Sequence, residues 1–72
     1  MKTTKIRNGN YKGTYKGQNV KVCRITTDDN KTNWYCVVNE ANAEDWVCTK
    51  REAISDAMYM IDNASEYGIE LV

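Results

Sequence analysis

Asn33-Trp34-Tyr35-Cys36-Val37-Val38-Asn39 is the stretch on which the fold turns. Between its two flanking asparagines every position is apolar or aromatic, and Trp, Tyr and Val favour a pleated, buried surface. It reads as a central strand. Side chains alternate across a strand, so Trp34, Cys36 and Val38 point one way while Tyr35 and Val37 point the other. Both faces want cover, and the chain offers one convincing helix to supply it. What meets the second face is the functional question.

Working outward toward the N-terminus, Val20-Lys21-Val22-Cys23-Arg24-Ile25 alternates as a strand should, and Asp28-Asp29-Asn30-Lys31 is a polar turn. A two-residue hairpin tipped at Asp29-Asn30 sets Cys23 opposite Cys36, Val22 opposite Val37, Ile25 opposite Trp34 and Arg24 opposite Tyr35. On the other side, Glu40 to Glu44 leads into Asp45-Trp46-Val47-Cys48. Centring that connection on Asn42 places Cys36 across from Cys48 and Val38 across from Trp46. This register predicts a thiol row, Cys23, Cys36 and Cys48, on one face and a valine row, Val22, Val37 and Val47, on the other. The small thiols between Trp34 and Trp46 make a groove for a helix, leaving the valine row with Tyr35 and Arg24 opposite. Either choice of face leaves apolar surface uncovered unless the Tyr11-to-Gly17 segment or another molecule lies on it.

Residues 1 to 10 are polar and end in the turn signal Asn8-Gly9-Asn10, consistent with a frayed end or an edge strand. In Tyr11-Lys12-Gly13-Thr14-Tyr15-Lys16-Gly17 the closely spaced glycines suggest bends or a bulge. Thr49-Lys50-Arg51-Glu52 matches a capping box, the most specific local signal in the chain. The helix it opens carries Ile54, Ala57, Met58 and Ile61 on one stripe, with Ala53, Met60 and Ala64 at its margin. Gly68 can cap its end, and residues 68–72 are then a tail or a short edge strand. The expected fold is α+β, one domain over residues 1–72: a three-stranded antiparallel meander followed by one C-terminal helix packed on one face.

At 72 residues the chain buries only roughly 60% of its unfolded surface, so the core is thin and pairing with a second copy is a way to thicken it. Ten basic and ten acidic side chains cancel, but they are not mixed. Residues 1–31 hold eight of the basic and two of the acidic groups; residues 32–72 hold the reverse. Such sorting marks an interaction surface, or else two halves that neutralise one another. Three cysteines spaced twelve or thirteen apart do not form a secreted disulfide framework, and they point to reduced thiols in a host cell cytosol. No apolar run nears the roughly 20 residues of a membrane span, and no membrane partner is expected.

The chain has no His, which excludes Ser-His-Asp and Cys-His nucleophiles and His-containing metal sites. No close Cys pair announces zinc. The expectation is a non-enzymatic protein with no catalytic residues, metal or cofactor, and two binding readings. In the first, Glu40, Glu44, Asp45, Glu52, Asp56, Tyr59 and Glu66, with Tyr35, meet a basic surface on a host protein or complex. In the second, Lys12, Lys16, Lys21 and Arg24 contact nucleic-acid phosphates while Tyr11, Tyr15 or Tyr35 stacks on bases.

Three strands and a helix, with Trp34-Tyr35 on the middle strand and Thr49-Lys50-Arg51-Glu52-Ala53 opening the helix, resemble the arm-type DNA-binding domains of phage and transposon integrases over about residues 11–62. That resemblance implies DNA binding. In size, absence of catalytic groups and richness in Asn, Lys and Tyr, the whole chain is also similar to small phage-encoded accessory proteins, anti-CRISPR proteins among them. This second resemblance implies an inhibitor that occludes a host protein's surface, sometimes as a homodimer.

Overall fold

The computed structural model describes residues 1–43 and 45–72. Its frame is one antiparallel sheet of five strands whose spatial order follows the chain. The strands are β1 (Thr3–Arg7), β2 (Asn10–Tyr15), β3 (Gln18–Thr26), β4 (Thr32–Val38) and the two-residue β5 (Ala41–Asn42). Helix α1 (Lys50–Asp62) crosses one face, and a short α2 (Ala64–Tyr67) continues it beyond a break at Asn63. The expected three-stranded meander with a single helix is therefore corrected at both ends. The polar N-terminus is the edge strand β1, and Tyr11 to Tyr15 pairs on both sides instead of bending away.

The glycines of the repeated Tyr-Lys-Gly explain how β2 stays regular. Gly13 sits mid-strand where a Cβ would stand 2.6 Å from the Lys2 carbonyl oxygen, so its missing side chain lets the N-terminal segment approach. Gly17 instead forms the turn: Lys16 and Gly17 both have positive φ, 51° and 78°, as a two-residue hairpin of the I′ kind requires. Asn39 and Glu40 repeat that geometry between β4 and β5.

The β3–β4 register differs from expectation by one residue. Thr27 and Lys31 stay paired through a 3.0 Å bond from the Thr27 N–H to the Lys31 carbonyl, leaving Asp28, Asp29 and Asn30 as a three-residue loop. Asn30 takes the left-handed conformation, φ 62°, that such a loop needs and that Asn tolerates. An odd loop shifts every facing pair by one, and a one-residue shift exchanges the faces of one strand. Val22 thus faces Cys36, and Cys23 faces Tyr35. Past β5, Val47 rather than Cys48 returns to the sheet, bonded to Trp34 in both directions at 2.8 Å. The thiol row is dissolved: Cys36 is buried, Cys23 is half-buried on the other face and Cys48 is exposed.

The helix does cover the Trp34–Cys36–Val38 face, joined there by Val20 and Val22. Its inward stripe is Ala53, Ala57, Met60, Ile61 and Ala64, so two expected core positions, Ile54 and Met58, rotate to the margin. Three alanines in that stripe let the helix axis approach the valines. The N-cap half of the capping box forms, with Thr49 Oγ1 accepting from the Glu52 N–H at 3.1 Å, while the Glu52 carboxylate accepts from the Thr49 hydroxyl in place of its N–H. Residues 69–72 form a short tail, not an edge strand, and the tail is tied to the fold. Gly68 caps α2 at φ 65°, Ile69 is buried, and the buried Gln18 side chain clasps Val72: Oε1 accepts from its N–H at 2.7 Å and Nε2 donates to its carbonyl at 3.1 Å. No helix is long and apolar enough to cross a membrane among the described residues.

Candidate functional site

With the helix on one side, alternation and register decide what stands on the other. One cross-strand row runs Thr4, Lys12, Lys21, Val37, Asn42; the next runs Arg7, Asn10, Cys23, Tyr35; a third pairs Ile25 with Asn33. None of these positions is an Asp or a Glu. Lys2, Thr4, Lys12, Lys21 and Val37 line a shallow hollow of about 590 Å³ whose rim includes Glu40. A second hollow adjoins it, lined by Ile6, Arg7, Lys21, Cys23, Tyr35 and Val37. Among the described residues the ion pairs are Lys16–Asp62 and Lys31–Asp29, so Lys2, Lys12 and Lys21 keep their charges toward solvent. Tyr35 is half-buried between them and the apolar end of the face. Its interaction with the neighbouring Cys23 thiol, and secondarily burial, raise its phenol above the ordinary range, so it presents a neutral ring.

The nucleic-acid set expected from sequence is divided by this geometry. Lys12 and Lys21 stand directly opposite each other on the open face. Tyr11 and Tyr15 lie on the helix side. The Tyr11 ring packs 6.1 Å from Trp34 beneath the Lys50 ammonium, 3.6 Å above its centroid. The Tyr15 hydroxyl donates to Asp62 at 3.1 Å, and Lys16 donates to the same carboxylate at 2.6 Å. That bond holds the Asp62 carboxyl below the usual range and the Lys16 ammonium above its own. Arg24 has the parity of Val22, lies over Gly9 and donates to Asn8 Oδ1 at 3.3 Å. These four stand apart from the Lys12–Lys21 row and make contacts within the protein.

The acidic set is also divided. Asp45, Asp56 and Tyr59 line a hollow of about 250 Å³ between the helix and the segment after β5, together with Met60 and Tyr67. Tyr59 and Tyr67 meet edge to face there, 6.1 Å apart at 85°. Glu52 belongs to the helix cap, Glu66 is exposed on α2, Glu40 sits at the rim of the lysine hollow and Tyr35 is on the opposite side of the sheet. Glu44 lies outside the described residues. Sequence alternation does not reveal that Lys2 joins Lys12, that Arg7 joins Tyr35 or that Trp46 joins Ile25 and Asn33, because these placements depend on the pairing of β1 and of Val47.

Burial, then the nearby Asp56 charge, pushes the Cys36 thiol up to about 11, and its sulfur rests 3.7 Å from Met60 Sδ. Among the described residues no three Cys, Asp or Glu side chains converge as metal ligands. The arrangement offers cations, a neutral aromatic ring and apolar surface on a rigid sheet, which is equipment for binding. No protein-family model, curated protein or solved structure matches the chain.

Proposed function

We propose that this protein is a non-enzymatic binding module that takes nucleic acid on the helix-free face of its sheet. The observation that carries the reading is the row in which Lys12 and Lys21 stand side by side, with Lys2 beside them, next to Tyr35 and without a carboxylate in the row. Lysines contact phosphate and fix register on a nucleic acid, while an aromatic ring offers a surface to a base. Zero net charge is no obstacle, because the balancing carboxylates Glu52, Asp56, Asp62 and Glu66 are on the helices. Fluorescence anisotropy of labelled DNA and RNA probes across a salt series tests the reading. Affinity should fall steeply with salt, with a log–log slope near −2 if about three phosphates are neutralised. Lys12→Glu with Lys21→Glu should abolish binding while circular dichroism stays unchanged. Undetectable binding by the unaltered protein at low salt overturns the proposal.

A second reading, that the protein occludes a host protein as the small phage inhibitors do, is favoured by the hollow in which Asp45 and Asp56 flank the Tyr59–Tyr67 pair. Carboxylates beside aromatic faces suit a Lys or Arg side chain of a partner. Retention of one bacterial protein in a nuclease-treated pull-down, lost with Asp45→Lys and Asp56→Lys, would establish it.

A further inference from the structure

We infer that the ligand of the open face is single-stranded, and that Trp46 supplies a second stacking platform for its bases; this rests on the nucleic-acid reading above. Trp46 is 54% exposed, unusual for the largest apolar side chain in a chain with so small a core. Its direction follows from the backbone. Val47 pairs with Trp34 and turns into the core, so alternation sends Trp46 to the other side of the sheet. There it shares a shallow hollow with Ile25 and Asn33, two residues of the helix-free face.

The face therefore has an ordered polarity along β3 and β4. Lys21 and Val37 come first, Cys23 and Tyr35 next, and Ile25, Asn33 and Trp46 last. From Val37 to Asn33 is about 13 Å of strand, and the flanking residues extend it to a path for about four nucleotides, the short end of single-strand sites on small β folds. Lys2, Lys12 and Lys21 lie at one end, Arg7 borders the middle row beside Tyr35, and at the far end Lys31 is paired with Asp29. At the Trp46 end the hollow is bordered by Asp28 and Asp29. A duplex lying on this face would bring one of its two phosphate backbones against those carboxylates, and its paired bases would offer the aromatic rings only their edges. A single strand instead anchors its phosphates on the lysines and lays unstacked bases over Tyr35 and Trp46.

The test compares a fluorescein-labelled oligothymidine and a mixed-sequence single strand with the duplex of that same mixed sequence. Wild-type protein, Trp46→Ala, Trp46→Phe and the Lys12→Ala/Lys21→Ala double variant are titrated at one low salt concentration. The expected result is at least tenfold tighter binding of single strands than of the duplex. Trp46→Ala should lose about tenfold or more on single strands, in line with the removal of one stacked base, while Trp46→Phe retains most of the affinity. The lysine double variant should weaken every probe. Circular dichroism of Trp46→Ala controls for folding, and an exposed side chain gives little reason for collapse. Equal or tighter duplex binding, or single-strand binding indifferent to Trp46→Ala while the lysine variant still weakens it, overturns this inference and leaves the lysine face standing. Failure of every probe to bind the wild type overturns both.

Discussion

A methyl group added at Gly13 would stand 2.6 Å from the Lys2 carbonyl oxygen, a distance that no relaxation of a side chain can relieve because the oxygen is backbone. The N-terminal segment must move away from β2 to admit it. Gly13→Ala is therefore expected to destabilise the fold by about 1–3 kcal/mol, the usual cost of forcing atoms into a packed site. Urea unfolding would measure the loss, and hydrogen exchange should place the loosened amides in β1. The third residue of the other Tyr-Lys-Gly copy behaves differently: nothing lies near a Cβ at Gly17, but its φ of 78° penalises any side chain through the backbone. Two identical tripeptides thus use their glycines for unrelated reasons, one for proximity and one for conformation.

At the scale of elements, α1 depends on its first turn. Thr49 satisfies the Glu52 N–H, and the Glu52 carboxylate takes a 3.2 Å bond from the Thr49 hydroxyl. Thr49→Ala should cost about 1 kcal/mol, read as a lowered urea midpoint with an unchanged slope. This helix start, the alternation of residues 20–25 and the central strand were all legible in the sequence, because each is written within a few residues. Register was not legible in the same way. Whether the β3–β4 turn closes with two residues or three depends on Asn30 entering the left-handed region, and a polar Asp-Asp-Asn-Lys stretch admits both. That single choice moved Cys23 and Ile25 to the open face and brought Val22 under the helix. The basic half of the candidate site could be read from the charge division, but its composition could not. Tyr11 and Tyr15 share the side of Val20 and Val22, and only the register with β3 reveals it, whereas Arg24 shares that side by simple alternation along β3 and only the face the helix covers was left open.

At the scale of the molecule, the sorted charges become two sides of a slab measuring 35 × 24 × 17 Å. Lysines occupy the sheet side and carboxylates much of the helix side. A two-fold dimer whose axis passes near Lys12 and Lys21 would set those lysines of each copy against one another, since residues at the axis of an isologous interface meet their own counterparts. Like charges oppose that contact. The protein should thus be monomeric by light scattering at high concentration in physiological salt. A dimer mass that persists as salt is varied would show that Tyr35, Val37 and Trp46 bury one another despite the lysines.

The strands lie in space in the order in which the chain presents them, and every connection in the sheet up to β5 is two to five residues long. Each hairpin can close against the one before it without waiting for distant sequence, which is the topology associated with fast folding. With no proline in the chain, no prolyl isomerisation slows it. Stopped-flow refolding should accordingly show one rapid phase. Synthesis is another matter, because Val20, Val22, Cys36 and Val38 acquire their cover only when residues 53–64 have been made. At about 5–20 residues per second the covering residues are made roughly one to five seconds after those strands. The order of the elements therefore makes the apolar strands first and their cover last, so the sheet cannot be finished until the helix follows it out.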